Sequence, residues 1–159
     1  MNTKRKEKTI SNSNLNQSLK IVLADTFALY FKTHAFHWNV TGPRFHSLHE
    51  MFEEQYIDMW EASDTIAERI RQKGDFTANN PKDIMKDTTL EHISQTPDAN
   101  EMVKMLANDN REIVKSLKEA ADVAAEAKDV ATEDLMIERM QAHEEAAWML
   151  ESSIDKKAA

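Results

Sequence analysis

His49 with Glu53, and Asp64 with Glu68, form two i, i+4 pairs that are mirror images about the midpoint between Asp58 and Met59. At about 100° per residue of a helix, the four side chains fall within an arc of roughly 100° and look out from one stripe. Glu53 and Asp64 are nonetheless about 16 Å apart along the axis, whereas the ligands of one metal ion lie roughly 2.0–2.2 Å from it. One helix therefore cannot close a site. An antiparallel copy crossing near Asp58 and Met59 brings His49 level with Glu68 of the copy and Glu53 level with Asp64, so twofold symmetry gives two identical sites per dimer.

His37 supplies a third ligand from the same chain. Val40-Thr41-Gly42-Pro43 interrupts two helical segments, and its Gly-Pro step marks a tight reversal with Pro43 suited to the first turn of the next helix. If the reversal is centred on Pro43, His37 and His49, each six residues away, lie side by side. Two imidazoles and a carboxylate from one chain, with two carboxylates from another, suit a redox-active divalent metal. With no cysteine in the chain, such mixed nitrogen and oxygen ligation favours iron over a closed structural zinc site, although zinc stays open. A lone His-x-x-x-Glu or Asp-x-x-x-Glu is usually a solvated pair, and the Asp64, Glu68 pair also suits a dimer surface neutralised by Arg69 or Arg71.

The run His37-Trp38-Asn39-Val40-Thr41-Gly42-Pro43-Arg44-Phe45, then Leu48-His49, Glu53 and Asp64-Thr65-Ile66-Ala67-Glu68-Arg69, resembles the signature of the Dps family of mini-ferritins. The resemblance implies ferritin-like four-helix subunits assembled from dimers into a hollow dodecameric shell. It implies a ferroxidase that oxidises Fe(II) to Fe(III), preferably with hydrogen peroxide, and stores the ferric mineral inside. The metal and catalytic residues it assigns are His37, His49 and Glu53 of one chain with Asp64 and Glu68 of another. Many relatives carry Asp where Glu53 stands, so the longer arm keeps the chemical type and changes its reach. Asp134 matches a family position lining acidic pores on the threefold axes, with Glu133 beside it. Zinc or manganese would compete for the iron site.

The elements that must position these residues are helices. Two glycines and three prolines in 159 residues leave little turn chemistry, and the apolar spacing through Leu15, Leu19, Leu23 and Phe27, and through Phe45, Leu48, Phe52, Met59, Ile66 and Ile70, gives two long amphipathic helices. Gly74 ends the second. Asn80-Pro81 and Thr96-Pro97 each read as a cap followed by a first-turn proline, with a short helix over Lys82 to Thr88 between them. Met102, Met105, Leu106, Ile113 and Leu117 mark a third long helix, and Leu135, Met136, Met140, Ala147, Leu150 and Ile154 a fourth; the boundary lies within Ala121 to Glu133. The fold class is therefore all-α, a ferritin-like four-helix bundle with a short extra helix in the long connection between helices 2 and 3. No Glu stands three residues before any His, which disfavours the within-subunit di-iron site of ordinary ferritins.

Residues 1–13 read as a flexible basic tail and 14–159 as a single bundle domain. Lys4, Arg5, Lys6 and Lys8 against Glu7 give a local +3, leaving −11 elsewhere in a chain of net charge −8. The tail could contact DNA phosphates in a salt-sensitive way, while the acidic body repels DNA and draws Fe(II). Glu50 and Glu54 beside the ligand face could seed mineral. His34 and His46 are spare ligands one turn from the primary histidines; His92 and His143 have no companion spacing and read as surface or packing residues. Trp38 reads as packing over the site, and Trp60, Trp148 and the nine methionines as core or interface anchors. No long apolar or leader-type run is present, so no membrane partner and a cytoplasmic, DNA-associated address are expected. The alternative to a ferroxidase is a non-enzymatic DNA-compacting or structural bundle whose twofold carboxylates serve assembly.

Overall fold

The computed structural model describes residues 3–154, with side chains from residue 13 onward. Helix α1 spans Thr3–Asn39, α2 Phe45–Gln72, α3 Pro81–Ile84, α4 Ala99–Glu126 and α5 Val130–Ser152; a 3-10 turn, Met85–Asp87, follows α3. Among the described residues there is no strand. α1 pairs with α2 and α4 with α5 as antiparallel neighbours, α1 packs on α4, and α2 and α5 hardly touch. The connection over 73–98 crosses the bundle, which is the one-crossover plan expected of four long helices.

Each helix stops for a local reason. α1 has no Gly or Pro to end it before Gly42, whose φ of 102° reverses the chain toward α2. At the end of α2, Gly74 takes a φ of 86° and the Asp75 amide donates to the Ile70 carbonyl at 3.2 Å, closing the orphan carbonyls of the last turn. Asn80 caps α3 by accepting from the Asp83 amide at 2.9 Å, with Pro81 in the first turn as expected.

Two boundaries differ from the sequence reading, and a third falls within its expected range of Ala121 to Glu133. The α4 cap is Asp98 rather than Thr96, because its carboxylate accepts from both Asn100 N at 2.9 Å and Glu101 N at 3.0 Å, which leaves Pro97 outside the helix. The short helix expected over Lys82 to Thr88 splits into α3 and the 3-10 turn. The weakly signalled α4 to α5 boundary is a three-residue turn without glycine, in which Lys128 itself takes a φ of 57°. The backbone expected as a flexible tail over 1–13 is helical from Thr3; the side chains of Lys4, Arg5, Lys6 and Lys8 lie outside the described residues.

The core runs the length of the bundle. Leu15, Leu19, Leu29 and Phe36 of α1 meet Leu48, Phe52, Ile66 and Ile70 of α2 and Met102, Leu106, Ile113 and Leu117 of α4, all buried, each contributing roughly 1.5–3 kcal/mol. Buried Asp25 pins the crossover by accepting from Thr88 Oγ1 at 2.8 Å, Thr89 N at 2.6 Å, Thr89 Oγ1 at 3.0 Å and, from α4, Ser116 Oγ at 2.7 Å. Lys32 adds a second tie, donating to Asp109 at 2.5 Å and to the Glu91 carbonyl at 2.8 Å.

Asp129 caps α5 and binds α2 to the α4 to α5 turn through Arg69 at 2.6 Å and Lys73 at 2.8 Å. Burial alone would raise its pKa, but the hydrogen bonds from Lys73 and Thr132 and the Arg69 charge prevail and bring it from 3.8 to about 2. A depressed carboxyl pKa stabilises the fold above pH 3.8 and loses that contribution as pH falls toward 2. Asp129→Asn should therefore melt below the wild type at pH 7, with the gap closing in melts taken through that acid window; a gap of constant size would refute the assignment.

Candidate metal centre

The turn between α1 and α2 does what the equal spacing from Pro43 requires. The His37 and His49 rings stack with centroids 3.7 Å apart and planes 17° from parallel. Each Nδ1 lies 2.9 Å from the other residue's backbone carbonyl. A carbonyl only accepts, so each Nδ1 must carry the donated proton, and the lone pair of each neutral imidazole sits on Nε2. Metal-ligating histidines are held in this way by a backbone or carboxylate partner on the far nitrogen. Phe45 stacks on the His49 ring with centroids 5.0 Å apart, while His37 is buried against the bundle.

Glu53, one turn beyond His49, is half-buried beside Tyr56, whose ring meets His37 edge-on at 5.2 Å. Burial raises the Tyr56 phenol pKa, and the charge of Glu53 and a hydrogen bond to it push the same way. His34 stacks on Tyr56 at 3.9 Å and lies 5.9 Å from His37 between ring centroids; burial and His37 lower its pKa against the opposing pull of Glu53. Tyr56 went unremarked in the sequence, although its place three residues after Glu53 is the signal that would have found it.

Asp64 and Glu68 stand exposed two turns and more further along α2. Arg69 and Arg71 do not neutralise them: Arg69 binds Asp129 and Thr132, and Arg71 lies over the Phe76 ring at 3.8 Å. Among the described residues Asp64 and Glu68 have no ion-pair partner, and no three His, Asp or Glu side chains of one chain converge as a metal-holding group. Midway along the stripe, Ile57 and Trp60 point outward, 44% and 57% exposed, whereas Met59 is buried and Asp58 pairs with Arg139 of α5 at 2.5 Å. The structure thus brings His37 and His49 together, sets Glu53 one turn further along α2 beside Tyr56, and leaves Asp64 and Glu68 apart, on the same side of α2.

Of the other residues singled out, His46 is exposed with Nδ1 3.5 Å from Glu50, and Glu54 is exposed. Asp134 is exposed just after the first turn of α5, next to partly buried Glu133 in that turn. Trp38 is 57% exposed and lies 4.3 Å from His34 between ring centroids, so it flanks the site rather than filling the core. His92 is exposed, and His143 is buried.

The ferritin-like domain family matches residues 16–158. A DNA protection during starvation protein from Brevibacillus brevis is 38% identical over 133 residues, 84% of this chain and 89% of that one. The chain belongs to the Dps family of ferritin-like proteins. The crystal structure of a Dps protein from Bacillus brevis superposes on this Dps chain with a TM-score of 0.87 and 35% identity, covering 91% of it and 97% of the other. A Dps structure from Vibrio cholerae O1, described as a member of a broad superfamily of ferritin-like diiron-carboxylate proteins, aligns at 0.87 and 25% identity over 92% of each chain. Among the described residues of this Dps chain no helix is long and apolar enough to cross a membrane.

Proposed function

We propose that the protein stores and detoxifies iron as a ferroxidase, oxidising Fe(II) to Fe(III) at sites shared by two chains of a dodecameric shell, and that it protects DNA by doing so. The observation that carries this reading is the reciprocal hydrogen bonding of His37 on α1 and His49 on α2, which frees both Nε2 atoms next to the α2 stripe that bears His49, Glu53, Asp64 and Glu68. Family membership supports iron storage and DNA protection in general. The exposed Ile57 and Trp60 between the two halves of the stripe support an antiparallel crossing, because burying them against a second copy removes apolar surface from water where Asp64 and Glu68 would meet His49 and Glu53.

In this mechanism iron is the substrate. His37 and His49 hold Fe(II) through Nε2, and Glu53 with the second chain's two carboxylates favours the harder Fe(III) product. Hydrogen peroxide takes one electron from each of two Fe(II) and, with two protons, leaves as two waters, so pairing the events avoids a free radical. Zinc and manganese accept the same ligand types and slow the reaction by competition. Direct DNA contact, if made, belongs to Lys4, Arg5, Lys6 and Lys8 and weakens as salt rises.

The test adds Fe(II) to metal-free protein without oxygen, supplies hydrogen peroxide, and passes the mixture through a sizing column. Ferric iron travelling with a particle of about twelve chains is the expected result. Precipitated iron with iron-free protein would overturn the reading and favour a DNA-compacting or structural bundle.

A further inference from the structure

The side of α2 turned away from the ligand stripe borders a second feature. Between α2 and α5, beside the Asp58 and Arg139 pair that joins them, lies a half-open cavity of about 220 Å³ that reaches Asn110 of α4. Its wall includes Met51, Gln55 and Met59 of α2 and His143 and Met149 of α5. The residues of α2 that line it lie roughly 100–240° around the helix from Glu53, so the cavity is separate from the metal centre.

Three buried polar atoms of residues in this wall have no partner: His143 Nε2 and both amide atoms of Gln55. His143 is 2% exposed, and its Nδ1 sits 2.7 Å from Asn110 Oδ1. Asn110 Nδ2 donates to the Leu106 carbonyl at 2.8 Å, which identifies the atom facing His143 as the amide oxygen, an acceptor. His143 therefore carries its proton on Nδ1, and its Nε2 lone pair is buried without a partner in a residue that lines the cavity. Burial, reinforced by Arg139, drives the imidazole pKa down to about 3, so it stays neutral and keeps that lone pair in ordinary buffers. Arg139 Nε is likewise buried without a partner.

We propose that this cavity is a binding site for monovalent copper, held by His143 Nε2 and the thioethers of the lining methionines. A neutral imidazole beside three methionines is a soft, uncharged donor set, and thioether sulfur selects Cu(I) among biological metals. Iron(II), zinc(II) and manganese(II) prefer several charged or nitrogen ligands, and among the described residues no group of three His, Asp or Glu side chains provides them. Cu(I) forms stable two- and three-coordinate complexes with imidazole and thioether donors and needs no carboxylate. Exposed Glu54 and Glu145 also border the cavity and attract a cation toward it. This site gives the shell a way to hold a second Fenton-active metal apart from the iron centre.

The experiment titrates Cu(I) into metal-free protein under nitrogen against the coloured chelator bicinchoninate. The protein should withdraw one Cu(I) per chain, and X-ray absorption of the loaded protein should show both nitrogen and sulfur neighbours of copper. Met51→Leu with Met149→Leu conserves side-chain volume and should weaken retention by at least roughly 10-fold, the scale on which even an outer partner of a metal matters. His143→Gln should do the same, and the methionine variant keeps the question answerable if the buried histidine proves necessary for folding. Both variants should oxidise Fe(II) at the wild-type rate, and His37→Ala with His49→Ala should still retain copper. Failure to withdraw copper, as from a cavity filled by water alone, would overturn the proposal. So would unchanged retention in the methionine variant, or copper with nitrogen and oxygen neighbours only.

Discussion

Chains carrying Asp64→Asn and Glu68→Gln are expected to lose Fe(II) oxidation by roughly 100-fold or more, since loss of an outer partner of a metal ligand already costs about 10–100-fold. Both replacements are close in size and sit at exposed positions without ion-pair partners in their own chain, so the particle should keep its size on a column. Chains with His37→Ala and His49→Ala are expected to be equally inactive. The decisive result comes from refolding the two defective chains together. In a mixed dimer one site receives both intact halves and the other receives none. Random pairing of equal amounts makes half of the dimers mixed, so about a quarter of the wild-type rate should return. A site contained in one chain predicts no recovery at all. That outcome would end the shared-site reading even if each variant alone behaved as expected.

Much of this centre is readable from residue spacing because helices are regular. Equal distance from Pro43 places His37 beside His49, and the mirror symmetry of the two pairs on α2 is the basis of the proposed two-chain site. Spacing does not reveal which ring nitrogen is free. That depends on the carbonyls of His37 and His49 meeting the opposite rings, a product of how tightly the turn at Gly42 brings α1 onto α2. Nor does spacing find Tyr56, which becomes part of the site only when α1 delivers His34 and His37 to its ring. Local capping and one distant partner account for what spacing leaves out. Asp98 displaces Thr96 as a cap because it reaches two amides, and Lys128 tolerates a left-handed turn where glycine was the natural signal. His143, with no companion in sequence, acquires its partner Asn110 from another helix 33 residues away.

Asp25 is where the other large effect is expected, and it concerns the crossover rather than the chemistry. Its carboxylate accepts four hydrogen bonds, three of them from Thr88 and Thr89 of the connection, yet among the described residues no cation pairs with it. Asp25→Ala would leave those donors facing an apolar gap, and an unsatisfied buried donor costs about 1–3 kcal/mol. Thr89 is exposed and can turn to water, whereas Ser116 on α4 is buried, so the expected loss is about 3 kcal/mol rather than four full penalties. In the proposed shell, assembly would also stabilise each chain, so global unfolding would understate this loss. Amide exchange of Thr89, whose N–H donates straight to Asp25 at 2.6 Å, reads it locally and should accelerate by roughly two orders of magnitude. Unchanged protection there would show that the crossover is held by Lys32 and the apolar contacts of Leu90 instead. The consequence for iron is smaller. Thr77 and Ile84 of the crossover share a groove with Asp64 and Trp60, but Asp64 itself is anchored on α2 by buried Ile66 and Ile70. Oxidation should therefore slow only modestly in Asp25→Ala while the crossover opens, which separates the residues that hold iron from those that hold the wall beside it.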